Sequence, residues 1–194
     1  MEWALVFGLT AGVVRAVTGL VRIRDVYRGV NFPQRSTWLV FLTLNLVFIA
    51  GQWAEGATYS MLGLLVSTVY LIIIGPKLRT QGVGGFELRD YVSLSVAGSG
   101  LVVWAITNEP VLALLISVVV DMAGAWLTVE KTYRLPWSET LVGHQGGLAS
   151  GLLSAAAVGE LRLDLLLIPG YTASFALIMV VVIVGRRRLV PRPY

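Results

Sequence analysis

PVLALLISVVVDMAGAWLTVEKTYR, residues 110–134, has the length and composition of a membrane-spanning helix with a charged end. From Pro110 to Val129 it carries a single charge, Asp121, and it runs into Glu130-Lys131-Thr132-Tyr133-Arg134. About 20 apolar residues in an α-helix cross the ~30 Å hydrocarbon layer of a bilayer. The rest of the chain has the same character: 194 residues, 56% hydrophobic and 13% charged, with mean hydropathy +0.78. A soluble domain carries roughly 25% charged residues, and its folded surface needs polar groups that this chain lacks. Lipid is therefore the expected solvent, and the expected class is an all-α membrane protein.

Working outward from this segment, comparable apolar runs lie near 3–21, 38–55, 58–75, 91–108, 140–158 and 164–185. With 110–129 they make seven expected spans. Glu55-Gly56-Ala57 and Asn108-Glu109-Pro110 are too short to be anything but tight helical hairpins. Charge sets the orientation, because Lys and Arg accumulate on the cytoplasmic side. Arg22, Arg24, Arg28 and Arg35 follow the first span, and Lys77, Arg79 and Arg89 the third. Lys131 and Arg134 follow the fifth, and Arg186, Arg187, Arg188 and Arg192 the seventh, so 13 of 15 basic residues fall on one side. Glu2, Glu55, Glu109, Glu160 and Asp164 occupy the other side, with Arg162. The expectation is a multi-pass protein of the cell membrane, N-terminus outside and C-terminus cytoplasmic. Met1-Glu2-Trp3 lacks the basic start of a cleavable signal peptide.

An internal repeat is expected. Asp25-Val26-Tyr27-Arg28, then Pro33 and Ser36, matches Lys131-Thr132-Tyr133-Arg134, then Pro136 and Ser138. The Tyr-Arg pairs stand 106 residues apart, and Glu55 and Glu160 stand 105 apart. Three helices are an odd number, so a linker helix is needed to give both copies one orientation. The expected division is 1–80 for the first three-helix repeat, 81–109 for the linker helix and 110–194 for the second repeat with its basic tail.

This 3+1+3 arrangement resembles the SWEET and PQ-loop superfamily of small-solute transporters, over nearly the whole chain. The resemblance implies alternating access between two three-helix units. The family's helix-kinking proline has no counterpart at Gly19-Leu20 or Ala125-Trp126, and Pro33-Gln34 lies in a loop. Asp121-x-x-Gly124, Lys131, Pro136-x-Ser138-Glu139 and Gly82-Val83-Gly84-Gly85 also resemble a group of bacterial seven-span proteins, a likeness that implies no activity.

Candidate substrate-binding residues follow from polarity inside the spans. A carboxylate in mid-span costs roughly 3 kcal/mol or more, so Asp121 is expected to face a cavity or a partner. The repeat matches it with Arg15, also 106 residues away. Two roles are open for the pair: a substrate or proton site, or a structural ion pair between the copies. Asn45 and Gln52, seven apart with Trp38 seven before, share one face of the second span. Tyr171, Thr172 and Ser174 follow Pro169-Gly170, read as a break where backbone could turn to a cavity. The expected site is Asp121, Arg15, Asn45, Gln52, Tyr171 and Ser174. Interhelical hydrogen bonds, at ~0.6 kcal/mol each, are the plainer explanation for any one of them. Trp3, Trp53, Trp104 and Trp137 fit interfacial aromatic belts.

The sequence also admits other functions. Ala97-Gly98-Ser99-Gly100 and His144-x-x-Gly147-x-x-x-Gly151 resemble the Ser and His motifs of rhomboid intramembrane proteases. The usual first Gly of that motif is Ala97 and the family's second-span His is Phe41. Gly143, Gly147, Gly151 and Ala155 also read as a small-residue packing stripe. A non-catalytic accessory membrane subunit is the remaining alternative. Lys77 and Lys131 lie at interfaces, which leaves no retinal lysine. The chain has no Cys and one His, so neither a metal site nor a cofactor is expected. The basic residues are spread over short loops and form no nucleic-acid patch. The overall expectation is a transporter or binding protein for a small polar solute, not an enzyme, with proton coupling and homo-oligomerisation open.

Because the chain is free of Cys, single introduced cysteines report topology directly. Cysteine at Ala57 or Asn108 is expected to react with a membrane-impermeant thiol reagent in intact cells, and cysteine at Gly84 or Pro193 to stay unlabelled. The reverse pattern would invert the orientation.

Overall fold

The structure is a computed structural model that describes residues 2–33, 35–82 and 105–191, with Leu88, Tyr91, Val92, Ser95, Ser99 and Val102. The described residues hold no strand, and their α-helices are α1 (Glu2–Tyr27), α2 (Arg35–Ala54), α3 (Leu62–Ile74), α4 (Leu78–Gln81), α5 (Pro110–Arg134), α6 (Leu141–Val158) and α7 (Leu163–Arg187). These seven helices are not the seven expected spans. Pro76 lacks the N–H that would continue the helical ladder. The chain tightens there to a 3-10 turn, Gly75–Lys77, and α3 and α4 continue as one 23-residue rod, Tyr59–Gln81. The expected linker helix at 91–108 lies for the most part outside the described residues.

Among the described residues, four rods are long and apolar enough to cross a membrane: Glu2–Tyr27, Tyr59–Gln81, Pro110–Arg134 and Leu163–Arg187. The apolar part of α2, Trp38–Ala54, is shorter. Helix α6 differs in kind, since its buried face is Gly143, His144, Gly146, Gly147, Ser150, Gly151 and Ser154. Pro110 opens α5 at its first turn, where a missing N–H costs nothing. Gly159, at φ +75°, closes α6 in the left-handed conformation that suits glycine.

The packing order follows from which helices touch. α1 lies against α3 and α6, α6 against α7, α7 against α5, α5 against α2, and α2 against α3. The six long helices thus close a ring in the order α1-α3-α2-α5-α7-α6, with α1 and α5 on opposite sides. The exterior is apolar, unlike that of a water-soluble bundle, and the interior holds polar side chains beside an apolar core of Leu44, Leu114, Met179 and Ile183. Leu9, Val13, Val17 and Leu20 on α1, and Val119, Met122 and Trp126 on α5, point outward and exposed. Gln52, Asn31, Ser117 and Thr132 are almost wholly buried. Trp3 and Trp53 are exposed near helix ends, as an interfacial belt requires.

Glycine permits the closest approaches around α6. A Cβ on Gly146 would collide with the Thr18 side chain, and one on Gly151 would stand 2.9 Å from the Ala173 backbone nitrogen. Backbone cannot step aside as a flexible side chain can, so Gly151→Ala should force α6 and α7 apart and cost about 1–3 kcal/mol. Gly185 has open space where its Cβ would be. Gly185→Ala should therefore be neutral or stabilising by up to ~1 kcal/mol. Thermal unfolding in detergent reads both; equal shifts would mean that α6 and α7 are not in close contact.

Candidate functional site

The glycine face of α6 leaves room at the centre of the ring. A cavity of about 130 Å³ lies there, lined from all six long helices. Gly143, Gly147 and Gly151 form part of its wall, so the small-residue stripe serves packing and open space together. Phe41, Phe48 and Ile168 supply apolar surface. Its polar groups include Arg15, Arg22, Asn45, Gln52, Ser67, Tyr70, Asp121, His144 and Tyr171.

Of the expected site residues, five come together here: Asp121, Arg15, Asn45, Gln52 and Tyr171. Ser174 does not; it is exposed on the far face of α7. Trp38 borders a second, smaller cavity that shares Arg22, Phe41 and Leu71 with the first. Asp121 is buried and accepts a hydrogen bond from the Tyr171 hydroxyl at 2.6 Å. Arg15 donates from Nε to Ser67 Oγ at 2.5 Å and from Nη2 to the Tyr70 hydroxyl at 2.9 Å. No ion pair joins Arg15 to Asp121, because their helices face each other across the ring instead of packing together. Each charge is held by neutral hydroxyls, Arg15 by two from α3 and Asp121 by one from α7.

Asn45 returns its amide N–H to the Phe41 carbonyl of its own helix at 2.7 Å. Gln52 does something the sequence did not suggest. Pro169 is not a break: α7 runs through it without interruption. Proline cannot donate to the carbonyl four residues earlier, that of Leu165. Gln52 Nε2 reaches that carbonyl at 3.3 Å, and the Asp164 carbonyl at 3.3 Å. The side chain thereby satisfies a backbone group orphaned by the proline and ties α2 to α7.

The two ends of the ring carry charged networks. At the arginine-rich end, buried Glu139 binds Lys131 Nζ at 2.5 Å and lies 3.4 Å from His144 Nε2. Asn31 donates to Thr140 at 3.0 Å, and Thr140 donates to Asp25 at 3.0 Å. At the opposite end Arg162 pairs with Asp164 and lies 3.6 Å from Glu55 and 3.8 Å from Glu160. His144 therefore has Glu139 as its hydrogen-bonding partner, with Phe175 edge-on at 6.2 Å. Ser99 is exposed. Sequence reading passed over Arg22, Tyr70 and the Glu139–His144 contact. The available signal for Glu139 was an acid among the basic residues of one end; Tyr70 offered only a hydroxyl within an apolar run.

Comparison with known proteins gives no matching family model, no matching curated protein and no matching solved structure.

Glu139 lies in the connection between α5 and α6. Burial works against its charge, but the Lys131 ammonium, with His144 and Arg22, outweighs that and holds its carboxyl well below the usual range. A depressed native pKa gives stability that is present above the unfolded value, near 4.5, and lost as pH falls below it. Glu139→Gln strands Lys131 and should cost about 3–5 kcal/mol at neutral pH. The gap to wild type should stay constant above about pH 5 and narrow as pH falls below the ordinary glutamate value. Melting curves across pH check this; a gap that opens between pH 6 and 8 would point to His144 instead.

Proposed function

We propose that this chain is a multi-pass membrane protein that moves a small polar solute by alternating access between two three-helix units. The carrying observation is the cavity at the centre of the ring, walled by all six long helices and holding Asp121 and Arg15 without an ion pair between them. A structural pair would have brought these two charges into contact. A space kept open between them suits a solute.

The 3+1+3 reading gains support from the order of the ring. The first half packs as first-third-second helix, α1-α3-α2, and the second half repeats it as α5-α7-α6. Local contacts repeat as well. Lys77 stands over the Tyr27 ring at 5.6 Å, and Arg186 over the Tyr133 ring at 4.1 Å, so the matched tyrosines each take a cation from the end of their third helix. These likenesses favour two copies related by rotation about the ring axis, with residues 91–108 as the linker span, as in a SWEET-like transporter. The networks at the two ends cross between the halves, Glu55 to Arg162 at one and Asn31 to Thr140 at the other. In this mechanism they open in turn.

Asp121→Asn tests the role of the cavity. Asn still offers an oxygen to the Tyr171 hydroxyl, so the variant should fold and stay monodisperse in detergent. Entry of labelled solutes (an amino acid, a polyol and urea) into vesicles should include at least one that wild type carries and Asp121→Asn does not. Arg15→Gln added to Asp121→Asn should restore nothing. A stable Asp121→Asn protein with unchanged uptake across pH, or a double variant that regains it, would end this assignment.

A further inference from the structure

Resting on the transport reading above, we infer that the central cavity takes a small zwitterion, with its carboxylate on Arg15 and its ammonium on Asp121. Three observations carry this. The first is the separation of charge. Arg15 sits on α1 and Asp121 on α5, the two helices on opposite sides of the ring, and both line one cavity. A charge taken out of water normally finds a counter-charge, since desolvation otherwise dominates. Here, among the described residues, each has hydroxyl hydrogen-bond partners and no counter-charge: Ser67 and Tyr70 for the guanidinium, Tyr171 for the carboxylate. A molecule with one negative and one positive group, placed between them, completes both pairs at once. A neutral solute completes neither, and a singly charged one leaves the other buried charge uncompensated.

The second observation is the geometry of the donors. Arg15 uses Nε and Nη2 on protein hydroxyls. Its Nη1 points to Gly147, where a Cβ would stand 2.7 Å from it, so the absence of a side chain there gives this edge of the guanidinium its room. Planar guanidinium matches a carboxylate through paired hydrogen bonds. Around Asp121, Tyr171 occupies Oδ2, while an ammonium has three donors and can bind a carboxylate from several directions.

The third is size. The cavity holds about 130 Å³, comparable with the ~150 Å³ that admits benzene in an engineered core. That volume suits an occupant of about half a dozen heavy atoms, the scale of glycine, alanine or serine. A hexose has twice as many. Phe41, Phe48 and Ile168 then face a short apolar side chain.

The test uses the full chain, in detergent for thermal stabilisation and in phosphatidylethanolamine–phosphatidylglycerol vesicles for uptake. Four related probes are compared: alanine, propionate (alanine without its ammonium), ethylamine (alanine without its carboxylate) and neutral propionamide. Alanine is expected to stabilise the protein and to enter the vesicles. Propionate and ethylamine should each bind about tenfold or more weakly, having lost one charge-assisted anchor. Arg15→Gln should erase the preference for alanine over ethylamine, and Asp121→Asn the preference over propionate. A merely structural role would lower all four probes together. If either variant does not fold, the wild-type ranking decides alone. Propionate, ethylamine or propionamide matching alanine overturns the zwitterion assignment and leaves transport standing, as does glycerol or urea entering where alanine does not. No stabilisation and no entry with any of these six solutes overturns the zwitterion and transport readings together.

Discussion

A carboxylate and a guanidinium in otherwise apolar helices are the constraint on which the arrangement depends. On insertion scales each costs roughly 3 kcal/mol at the centre of a spanning helix, so neither is stable facing hydrocarbon. Turning both inward places polar groups at the centre of a bundle whose outside is Leu, Val and Trp. A close-packed interior would then have to pair the charges directly. The ring instead sets α1 and α5 on opposite sides, and a cavity remains between them. The glycines of α6 make this possible, because they let neighbouring helices approach while leaving space along one wall.

Polar side chains elsewhere solve smaller versions of the same problem. Buried donors and acceptors need partners, since an unsatisfied group costs about 1–3 kcal/mol. Gln52 completes the Leu165 carbonyl beside Pro169, so a proline that shapes α7 also fixes α2. Ser67, Thr68, Thr128 and Thr132 return their hydroxyls to carbonyls one turn back in their own helices. At the arginine-rich end, Glu139 collects Lys131 and His144, and Arg187 donates to its backbone oxygen at 2.7 Å. These contacts draw α5, α6 and α7 together where the chain is most strongly charged.

Much of the helical layout was legible in the sequence. The apolar runs at 3–21, 58–75, 110–129 and 164–185 correspond to rods of 23 to 26 residues, longer at their basic ends than hydropathy alone implies. Asp121, Arg15, Asn45, Gln52 and Tyr171 were legible as inward-facing residues for one reason: polar groups in apolar helices have few places to go. Ser174 misled because a helix turns ~100° per residue: Ile168, Thr172 and Phe175 mark the cavity face, and Ser174, two positions beyond Thr172, points ~200° away from it. The break read at Pro169-Gly170 misled because a proline can be accommodated in a continuous helix when a neighbour satisfies the freed carbonyl.

The set of helices, their polar faces and the segregation of charge to their ends are legible from the chain alone, because these depend on local composition and period. Only the tertiary structure decided which polar groups meet. Arg15 and Asp121 stand 106 residues apart and are complementary in charge, and on sequence alone an ion pair was as natural as a shared cavity. The order of packing around the ring keeps them apart, and that order depends on helix-to-helix fit at sites such as Gly146 against Thr18 and Gly151 against Ala173. Such fit is a property of two surfaces in contact, and no periodicity within one segment encodes its partner.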